Sequence, residues 1–467
     1  YYIPWEIYSY KIGGIMNIRE DLIKEYKILK SHIIQTVKES VAYSSILNES
    51  EDNTNTSHPF GIEIEKCLDH MLGTCKQLGF KTFKDPKGYY GYAEIGEGKE
   101  LMGILGHLDV VPVDDIEKWD SDPFTLVEKD GNLIARGTSD DKGPTIVALY
   151  AAKALMNLGY TFNKRIRFIF GTDEESLWRC ITRYCEIEEI PSIGFTPDSK
   201  FPVIYAEKGL WQVVLTGKGE DININGGGAF NSVPNSIEYK DIKQEELITS
   251  LKHNNFEYEL IDKGIKILGK TVHAQDTEKG INPIQRLLFC LKEIGISTPT
   301  IEFITSKFAL SPFAEPIFGV LKDEVSGELK CNLARIEIDK NQSKLYFDLR
   351  IPVTFEMNEI ISKFNEIAKN NGFESIQHDR LNSLYVSKDD YLVKTLCEIY
   401  GEETNFDTTP LAMGGATYSR AMKNFVTYGM VFPDSPKTAH LANEHITIKD
   451  IDRAFIIYGK AIYKLSQ

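Results

Sequence analysis

The chain has 467 residues, of which 42% are hydrophobic and 26% are charged, and its formal net charge is −15. The length favours two domains, and the hydrophobic content excludes the composition typical of disordered chains. No uncharged apolar run approaches the length that spans a bilayer. The acidic balance argues against nucleic acid as a partner, because phosphate binding needs a basic face.

The cysteines and the amino terminus bear on the compartment. The seven cysteines are an odd number without a CxxC pair, so neither a disulfide framework nor a cysteine zinc site is predicted, and a reducing cytoplasm is expected. Residues 1–15 begin without Met and carry Glu6 and Lys11 where a signal peptide needs an apolar core. We expect this segment to be an upstream extension, with the natural chain starting at Met16.

The first part of the chain alternates helical and strand patterns. Apolar residues at helical spacing indicate helices, and short apolar runs indicate strands. They predict helices over Glu20–Leu47, Gly61–Leu78 and Pro144–Leu158, and strands over Tyr89–Ile95, Leu101–Leu105 and Arg165–Gly171. This alternation favours an α/β fold with a mixed sheet flanked by helices.

Near Ala206 the pattern changes to short alternating strands separated by Gly- and Asn-rich turns, with fewer helices. The predicted elements are strands over Trp211–Thr216, Ile237–Tyr239, Gly264–Leu268 and Lys344–Pro352, and helices over Asn282–Gly295 and Met357–Asn371. After Lys388 longer helices resume, over Tyr391–Tyr400 and Ile448–Leu465. The prediction is an α/β domain of residues 16–206 and 383–467, interrupted by an α+β domain of residues 207–382.

The glycine cluster Gly226-Gly227-Gly228 lies within the second domain. No Gly-Lys-Ser/Thr sequence follows it and no helix start is evident, so a phosphate-binding loop is not indicated. We predict a turn at this point.

The most informative segment is Gly106-His107-Leu108-Asp109, where an imidazole and a carboxylate close a strongly apolar run. They would emerge at the carboxyl end of a buried strand, where open α/β sheets bind ligands. His107 is either a metal ligand oriented by Asp109 or, as is commoner for a lone histidine at a strand end, a structural residue. Other candidate ligands along the chain decide between the two.

Three further segments carry carboxylates at the ends of elements. Asp140 and Asp141 precede a predicted helix, where they either cap it or bridge two cations. Asp173-Glu174-Glu175 terminates an apolar strand, and such a run needs cations or protonation to relieve its repulsion. Asp198 ends another short apolar run and by itself is equally consistent with an ordinary turn residue.

The last segment contains two histidines, His440 and His445, which compete for one ligand role. Histidine and carboxylate ligands without thiolate suit zinc, and also cobalt or manganese. One shared carboxylate with two further ligands for each ion is the layout of a two-metal hydrolase, whose ions lie about 3.5 to 4 Å apart.

Together these motifs resemble the M20 family of metallopeptidases, most closely its PepV-like bacterial dipeptidase branch. The resemblance runs from Met16 onward, with the motifs in the family's order. They are Gly-His107-Leu-Asp109-Val-Val-Pro, Arg-Gly-Thr-Ser-Asp140-Asp-Lys-Gly-Pro, Gly-Thr-Asp-Glu174-Glu175-Ser, Thr-Pro-Asp198 and Ala-His440-Leu-Ala-Asn-Glu. The resemblance implies a zinc-peptidase catalytic domain with an inserted lid domain.

By this resemblance two Zn²⁺ ions are bound per chain. It implies that one ion is held by His107, Asp140 and Asp198, that the second is held by Asp140, Glu175 and His440, and that Asp140 bridges them. Asp109 would fix the free ring nitrogen of His107. Glu174 would be the general base that takes a proton from a metal-bridging water and returns it to the leaving amine.

The same resemblance assigns roles within the lid domain. His273 would reach across to stabilise the oxyanion, a role worth about 3 kcal/mol, and Arg350, assisted by Asn231, would bind a substrate carboxylate. Outside the predicted lid, in the second part of the catalytic domain, Gly415 belongs to a glycine loop near that carboxylate. In this chain Ala416 stands where a further glycine is common.

The function that follows is a two-zinc exopeptidase that cleaves dipeptides with a free amino terminus. An N-acyl amino-acid deacylase of the succinyl-diaminopimelate or acetylornithine type is the alternative, since it would use the same metals. A non-catalytic metal-binding homologue is disfavoured, because Glu174 accompanies all five ligands. The enlarged lid resembles that of monomeric members, so a monomer is expected rather than a dimer.

Overall fold

The computed structural model describes residues 17–49, 58–114 and 116–467. The expected upstream segment of residues 1–15 lies outside these ranges. Two compact units divide the chain. Unit 1 contains the chain up to Ile204 together with Ser387–Pro410 and Thr417–Gln467, and unit 2 contains Tyr205–Val386 and Leu411–Ala416.

The elements are numbered in chain order. Up to residue 203 they are α1 (Ile18–Val41), α2 (Ile62–Gln77), β1 (Lys81–Lys84), β2 (Tyr90–Ile95), β3 (Leu101–His107), β4 (Val127–Lys129), β5 (Asn132–Ile134), α3 (Lys142–Asn157), β6 (Arg165–Gly171), α4 (Arg179–Ile187), β7 (Ile193–Thr196) and β8 (Ser199–Lys200).

From residue 204 to residue 386 the elements are β9 (Ile204–Glu207), β10 (Gly209–Lys218), β11 (Ile224–Gly227), β12 (Ser236–Tyr239), α5 (Gln244–His253), β13 (Tyr258–Ile261), β14 (Gly264–Leu268), α6 (Pro283–Glu293), α7 (Pro299–Lys307), α8 (Glu315–Phe318), β15 (Lys322–Asp323), β16 (Gly327–Glu328), β17 (Lys330–Ile338), β18 (Gln342–Ile351), α9 (Met357–Asn370), β19 (Glu374–Leu381) and β20 (Leu384–Tyr385). The last elements are α10 (Tyr391–Glu403), β21 (Leu411–Met413), β22 (Phe425–Thr427), β23 (Met430–Val431), β24 (His445–Thr447) and α11 (Ile448–Leu465).

The main sheet of unit 1 is mixed. Its strands follow the order β1, β2, β6, β3, β7, β22. The pairs β1–β2 and β2–β6 are antiparallel, whereas β6–β3, β3–β7 and β7–β22 are parallel. Strand β3 is buried at every residue, which explains why its sequence is an uninterrupted apolar run rather than an alternating one. The α/β fold class with a mixed sheet is confirmed.

Helix α3 is the central helix of unit 1 and packs against α1 and α11. It is buried along almost its whole length. Helix α1 ends at Val41, earlier than the predicted end near Leu47. The carbonyl oxygens of Ser40 and Tyr43 accept hydrogen bonds from the buried Lys142 ammonium, both at 3.0 Å. Beyond the helix the backbone makes other hydrogen bonds, since the carbonyl oxygen of Ser45 accepts a 2.9 Å bond from Val110 N–H.

Unit 2 is α+β. A five-stranded antiparallel sheet has the order β11, β17, β18, β10, β19, and a smaller antiparallel sheet has the order β12, β14, β13. Strand β10 and helix α9 share a core in which the rings of Trp211 and Phe364 lie 5.1 Å apart, edge to face. Among the described residues of either unit, no helix is both long and apolar enough to cross a bilayer.

The turn predicted at Gly226–Gly228 is wrong. Gly226 and Gly227 belong to β11 and pair with β17. A Cβ on Gly226 would lie 2.9 Å from Ile237 Cγ1, and one on Gly227 would lie 2.3 Å from the carbonyl oxygen of Ala334. The glycines are therefore explained by close packing of a strand on its neighbours, a use that the sequence pattern does not separate from a turn.

Candidate metal centre

The candidate ligands of unit 1 converge because three parallel strands end at one edge of its sheet. His107 is the last residue of β3 and lies opposite Gly171, the last residue of β6. Glu174 and Glu175 follow β6, and Asp198 follows β7, which pairs with β3 on its other side. The carboxyl ends of neighbouring parallel strands are where open α/β sheets place their ligands.

Gly106 allows the start of α3 to approach this edge closely. A Cβ at this position would lie 1.9 Å from Thr145 Oγ1 and 2.8 Å from Asp141 Oδ2. The close approach lets Asp141 Oδ2 accept hydrogen bonds from His107 N–H at 3.3 Å and from Thr145 Oγ1 at 2.8 Å. Asp141 thus holds the backbone of the strand end, and the peptide bond that joins it to Asp140 is cis.

Asp140 lies between two imidazoles. Its Oδ1 is 3.0 Å from His107 Nε2, and its Oδ2 is 2.9 Å from His440 Nε2. Asp198 Oδ1 lies 3.9 Å from His107 Nε2, and Glu175 Oε1 lies 3.2 Å from His440 Nε2. Two groups of three ligands therefore share one carboxylate, and each oxygen of that carboxylate faces a different group.

These residues fit a pair of metal ions. Within each group the ligand atoms lie within 4.8 Å of one another. Tetrahedral coordination at metal–ligand distances near 2.1 Å separates neighbouring ligand atoms by roughly 3.4 Å. The closest pairs in the cluster, at 2.9 to 3.9 Å, bracket that separation. All the donors are nitrogen or oxygen atoms, as zinc, cobalt and manganese sites use.

The two histidines and the carboxylate between them have strongly shifted pKa values. Burial disfavours ionisation of both His107 and Asp140, but opposite charges outweigh it. The surrounding carboxylates raise the pKa of His107 well above its usual value, and the two imidazoles lower the pKa of Asp140. The carboxylates of Asp140 and Glu175 raise the pKa of His440 to about 11. The cluster therefore attracts positive charge.

The other three carboxylates of the cluster have raised pKa values. Burial, followed by repulsion from Asp140, raises the pKa of Glu175 to about 7 and that of Asp198 to about 6. Burial also raises the pKa of Glu174 well above its usual value, against the attraction of His107. A bound cation would relieve this crowding of acids.

The acidic run after β6 divides into one structural residue and two residues that face the cluster. Asp173 is buried and accepts hydrogen bonds from the Arg179 guanidinium at 2.8 Å through each carboxylate oxygen. Glu174 Oε2 lies 4.0 Å from His107 Nε2. The repulsion expected from the sequence is thus relieved at Asp173 by an arginine that the sequence pattern did not single out.

Asp109 contacts the cluster in two ways. Its Oδ2 accepts a 3.0 Å hydrogen bond from Glu175 N–H and so holds the loop after β6. Its Oδ1 lies 3.6 Å from His107 Nδ1, whereas its own main-chain carbonyl oxygen lies closer, at 3.0 Å. The shortest contact that orients the His107 ring therefore comes from the backbone of Asp109.

Glu444 is a residue whose part in this site the sequence reasoning missed. It is fully buried, and its Oε1 accepts hydrogen bonds from the N–H groups of Gly137, Ser139 and Asp140 at 3.1, 2.8 and 3.1 Å. Its Oε2 accepts a 2.8 Å bond from Arg136. Glu444 thereby ties the loop that carries His440 to the loop that carries Asp140. The signal available was its place in the motif, four residues after His440.

The structure separates the two candidate histidines. His440 contacts the cluster and has a backbone φ of 64°, a left-handed conformation that is uncommon for non-glycine residues and concentrates at functional sites. His445 lies in β24 and its Nδ1 contacts the carbonyl oxygen of Asn443 at 2.8 Å. His440 is therefore the histidine with ligand geometry.

The four residues expected to bind substrate all lie in unit 2. Arg350 is almost fully buried, holds Asp348 through two hydrogen bonds of 2.6 and 3.0 Å, and donates a third of 3.1 Å to the carbonyl oxygen of Gly414, next to Gly415. His273 and Asn231 are brought together by a backbone bridge, in which Asn231 accepts a 2.8 Å bond from Ala274 N–H. Removal from water and then the Arg350 guanidinium lower the pKa of His273.

Comparison with known proteins identifies the family. The sequence model of peptidase family M20/M25/M40 matches residues 103–464. This span is more than half of the chain, and the chain therefore belongs to that family. The predicted family and the predicted hydrolase class are confirmed. Membership also implies metal dependence and a small peptide substrate.

Individual relatives agree with this assignment. A protein of Staphylococcus saprophyticus named "Putative dipeptidase" is 34% identical over 471 residues, which cover 95% of this chain and 98% of that protein. The crystal structure of aminoacylhistidine dipeptidase from Vibrio alginolyticus aligns with a TM-score of 0.58 at 14% identity, over 93% of this chain and 96% of that one. The YXEP protein of Bacillus subtilis, described as a dinuclear metal binding peptidase, aligns with a TM-score of 0.51 at 12% identity, over 94% of this chain and 99% of that one. The two structural matches show a shared fold.

Proposed function

We propose that the protein is a two-zinc dipeptidase that hydrolyses dipeptides with a free amino terminus. The observation that carries the proposal is the position of Asp140, whose two carboxylate oxygens lie 3.0 and 2.9 Å from two different imidazoles. A carboxylate in this position is suited to bridge two cations. The dipeptidase names of matched relatives favour dipeptides over N-acyl amino acids as substrates.

The proposed ligands are His107, Asp140 and Asp198 for one ion and Asp140, Glu175 and His440 for the other. When bound, the ions supply positive charge that polarises a peptide carbonyl and acidifies water. Glu174 belongs to neither set of three, although it lies at the same edge, with Oε2 4.0 Å from His107 Nε2. That position suits a general base.

Glu174 is proposed to accept a proton from the attacking water at a carboxylate oxygen. It then donates the same proton to the nitrogen of the departing amino acid, so that the leaving group departs as a neutral amine. Asp109 positions both the His107 ring, through its carbonyl, and the Glu175 loop, through its carboxylate.

Unit 2 is proposed to bind the substrate. Arg350 uses three of its five N–H groups on Asp348 and Gly414, which leaves two for a substrate carboxylate. We propose that Asn231 and Gly415 assist at that carboxylate and that His273 donates a hydrogen bond to the oxyanion, as the family resemblance implies. A neutral imidazole can still donate through one ring nitrogen.

A substrate panel and metal analysis test this function. We expect turnover of simple dipeptides and about two zinc ions per chain, with N-acetyl and N-succinyl amino acids turned over slowly. Turnover of the acylated compounds alone would refute the dipeptidase proposal. The Glu174→Gln variant should lose at least about 100-fold in kcat while retaining its zinc. The matched variant Glu189→Gln, at a residue whose side chain is 49% exposed, should keep its activity.

The proposal also places the protein in the cytoplasm as a monomer. The cytoplasmic location rests on the cysteine pattern of the sequence, an odd number without a CxxC pair. Size-exclusion chromatography with light scattering tests the monomer, and a mass near twice 52.9 kDa would contradict it.

A further inference from the structure

Unit 2 contains a polar cavity of about 440 Å³. Its lining includes Lys208, which follows β9, Lys330 at the start of β17, and the glycine-loop residue Gly414. None of the roles proposed above uses the two lysines. Both are buried, with 4% and 8% of their surface exposed, and a buried ammonium group is unfavourable unless a partner compensates for the lost water.

Lys208 differs from Lys330 in its partners. Its Nζ donates a hydrogen bond to the carbonyl oxygen of Glu328. Within the described part of the chain no carboxylate oxygen lies within the 4.0 Å that defines an ion pair with this nitrogen. Burial, and then the positive charge of Lys330, lower the pKa of Lys208 to about 8. Within the described residues the Lys208 ammonium therefore has no direct contact with a carboxylate, although Asp323, Glu278 and Glu328 attract it from further away.

The carboxylates that line the cavity are already matched to other lysines. Glu278 lies 2.8 Å from Lys330. The other two such pairs are Asp276 with Lys279 at 2.6 Å and Glu328 with Lys322 at 3.5 Å. The lining as a whole is balanced, with three lysines and three carboxylates, and Asp323 also attracts Lys208. What distinguishes Lys208 among the described residues is that its ammonium contacts a carbonyl oxygen and no carboxylate oxygen. An anionic group of a ligand would give this ammonium a direct charged contact.

The cavity adjoins the residues that are proposed to bind the substrate. Gly414 lines it and accepts the 3.1 Å hydrogen bond from Arg350. Gln275 also lines it, and its N–H donates to His273 Nδ1 at 3.2 Å. A substrate whose α-carboxylate is held by Arg350 would therefore have this cavity beside its carboxy-terminal residue.

We propose that this cavity receives the side chain of the substrate's carboxy-terminal residue and that Lys208 selects an acidic side chain, Asp or Glu, in that position. The inference rests on the proposed dipeptidase function and names its preferred substrates. The Lys208 ammonium would donate a hydrogen bond to the side-chain carboxylate, a charged contact made in a site removed from water. The uncharged amides Asn and Gln have the same shape but offer no charge.

The test compares matched substrates and matched variants. Values of kcat/KM are measured for Ala-Glu and Ala-Gln with the wild type, Lys208→Met and Lys340→Met, all loaded with zinc. Lys340 is an exposed lysine of unit 2 outside the cavity, 3.2 Å from Asp221, so Lys340→Met makes the same charge change elsewhere. We expect the wild type and Lys340→Met to prefer Ala-Glu by roughly 10- to 100-fold, and Lys208→Met to lose most of that preference.

A binding measurement separates this inference from the proposed function. Calorimetry with free L-glutamate and L-glutamine, the carboxy-terminal products, requires no hydrolysis. If no dipeptide is cleaved but glutamate binds roughly tenfold more tightly than glutamine in the wild type and not in Lys208→Met, the function fails and the acidic subsite stands. If dipeptides are cleaved and the Ala-Glu to Ala-Gln ratio is near one in the wild type, or is unchanged in Lys208→Met, the subsite is refuted and the function stands.

Discussion

Replacing Glu444 tests whether a buried carboxylate far along the chain holds Asp140, the proposed bridging ligand, in place. Glu444 accepts hydrogen bonds from Asp140 N–H, from two neighbouring N–H groups and from Arg136, and it is fully buried. Glu444→Ala removes every one of these contacts. It leaves the almost fully buried Arg136 guanidinium without its carboxylate.

The magnitude follows from these contacts. Removing one partner of a buried ion pair costs about 3 to 5 kcal/mol, because the remaining charge stays buried and uncompensated. Glu444→Gln retains an acceptor oxygen of the same shape for the three N–H groups and loses the charge. We therefore expect the free energy of unfolding of unit 1 to fall by about 3 to 5 kcal/mol in Glu444→Ala and by about 1 to 3 kcal/mol in Glu444→Gln.

The effect on the site should exceed a general loss of stability. Asp140 would lose one of the contacts that fix its backbone, so zinc affinity should fall by about 10- to 100-fold. The affinity is measured by competition with a chelator, under conditions where the variant is folded. Unfolding is followed in urea by tryptophan fluorescence. Circular dichroism before the titration confirms that the variant is folded.

An exposed ion pair of the same chemistry provides the control. Glu189 binds Arg165 with two hydrogen bonds of 2.7 and 2.8 Å, but its side chain is 49% exposed. Glu189→Ala should change the free energy of unfolding by less than about 1 kcal/mol and leave zinc affinity unaltered. Unchanged zinc affinity in Glu444→Ala, or equal effects of the two replacements, would refute the reasoning.

Two further predictions concern Lys208 and Gly106. Because the pKa of Lys208 is lowered to about 8, its ammonium is charged below that pH. The preference for Ala-Glu over Ala-Gln should therefore be constant near pH 6 to 7 and decline as the pH rises through 8. A ratio of the two kcat/KM values that stays flat to pH 9.5 would contradict this prediction. The groups that face Lys208 are Lys330, which lowers its pKa further, and Asp323, Glu278 and Glu328, which oppose the shift. Gly106→Ala would place its Cβ 1.9 Å from Thr145 Oγ1, and we expect a loss of about 1 to 3 kcal/mol in unfolding free energy and weaker zinc binding. The double variant with Thr145→Ala should recover part of the unfolding free energy and part of the zinc affinity. If Gly106→Ala alone keeps wild-type stability and zinc affinity, α3 does not pack as described.

Much of the fold follows from local sequence patterns. Most of strand β3 is predicted because Leu101–Leu105 is apolar at every position, and α11 because its apolar residues recur at helical spacing up to Leu465. The errors lie where tertiary contacts overrule local pattern. The apolar spacing continues to Leu47, but α1 ends at Val41 because the backbone around Ser45 binds Val110 instead.

The candidate site was recognisable because each ligand ends an apolar element or belongs to a motif with a family counterpart. The supporting residues were not recognisable in this way. Glu444 and Arg179 have no distinctive sequence spacing to the groups they hold, and Glu444 contacts Asp140 across 304 positions. Asp141 was singled out as a helix cap or a metal bridge, but not as the acceptor of the His107 N–H hydrogen bond. A single sequence does not specify which distant N–H groups a buried carboxylate will meet.

The sequence by itself determined the kinds of donor atoms, their order, and their positions at the ends of buried elements. That was sufficient for the family and for a metal-dependent hydrolase, because ligand chemistry resides in the side chains themselves. Only the tertiary structure decided that Asp140 faces both His107 and His440 and that Asp109 contacts the His107 ring first through its backbone. It also decided that Lys208, among the described residues, contacts a carbonyl oxygen and no carboxylate. Distances and buried charge depend on how remote segments pack, and no local pattern encodes them.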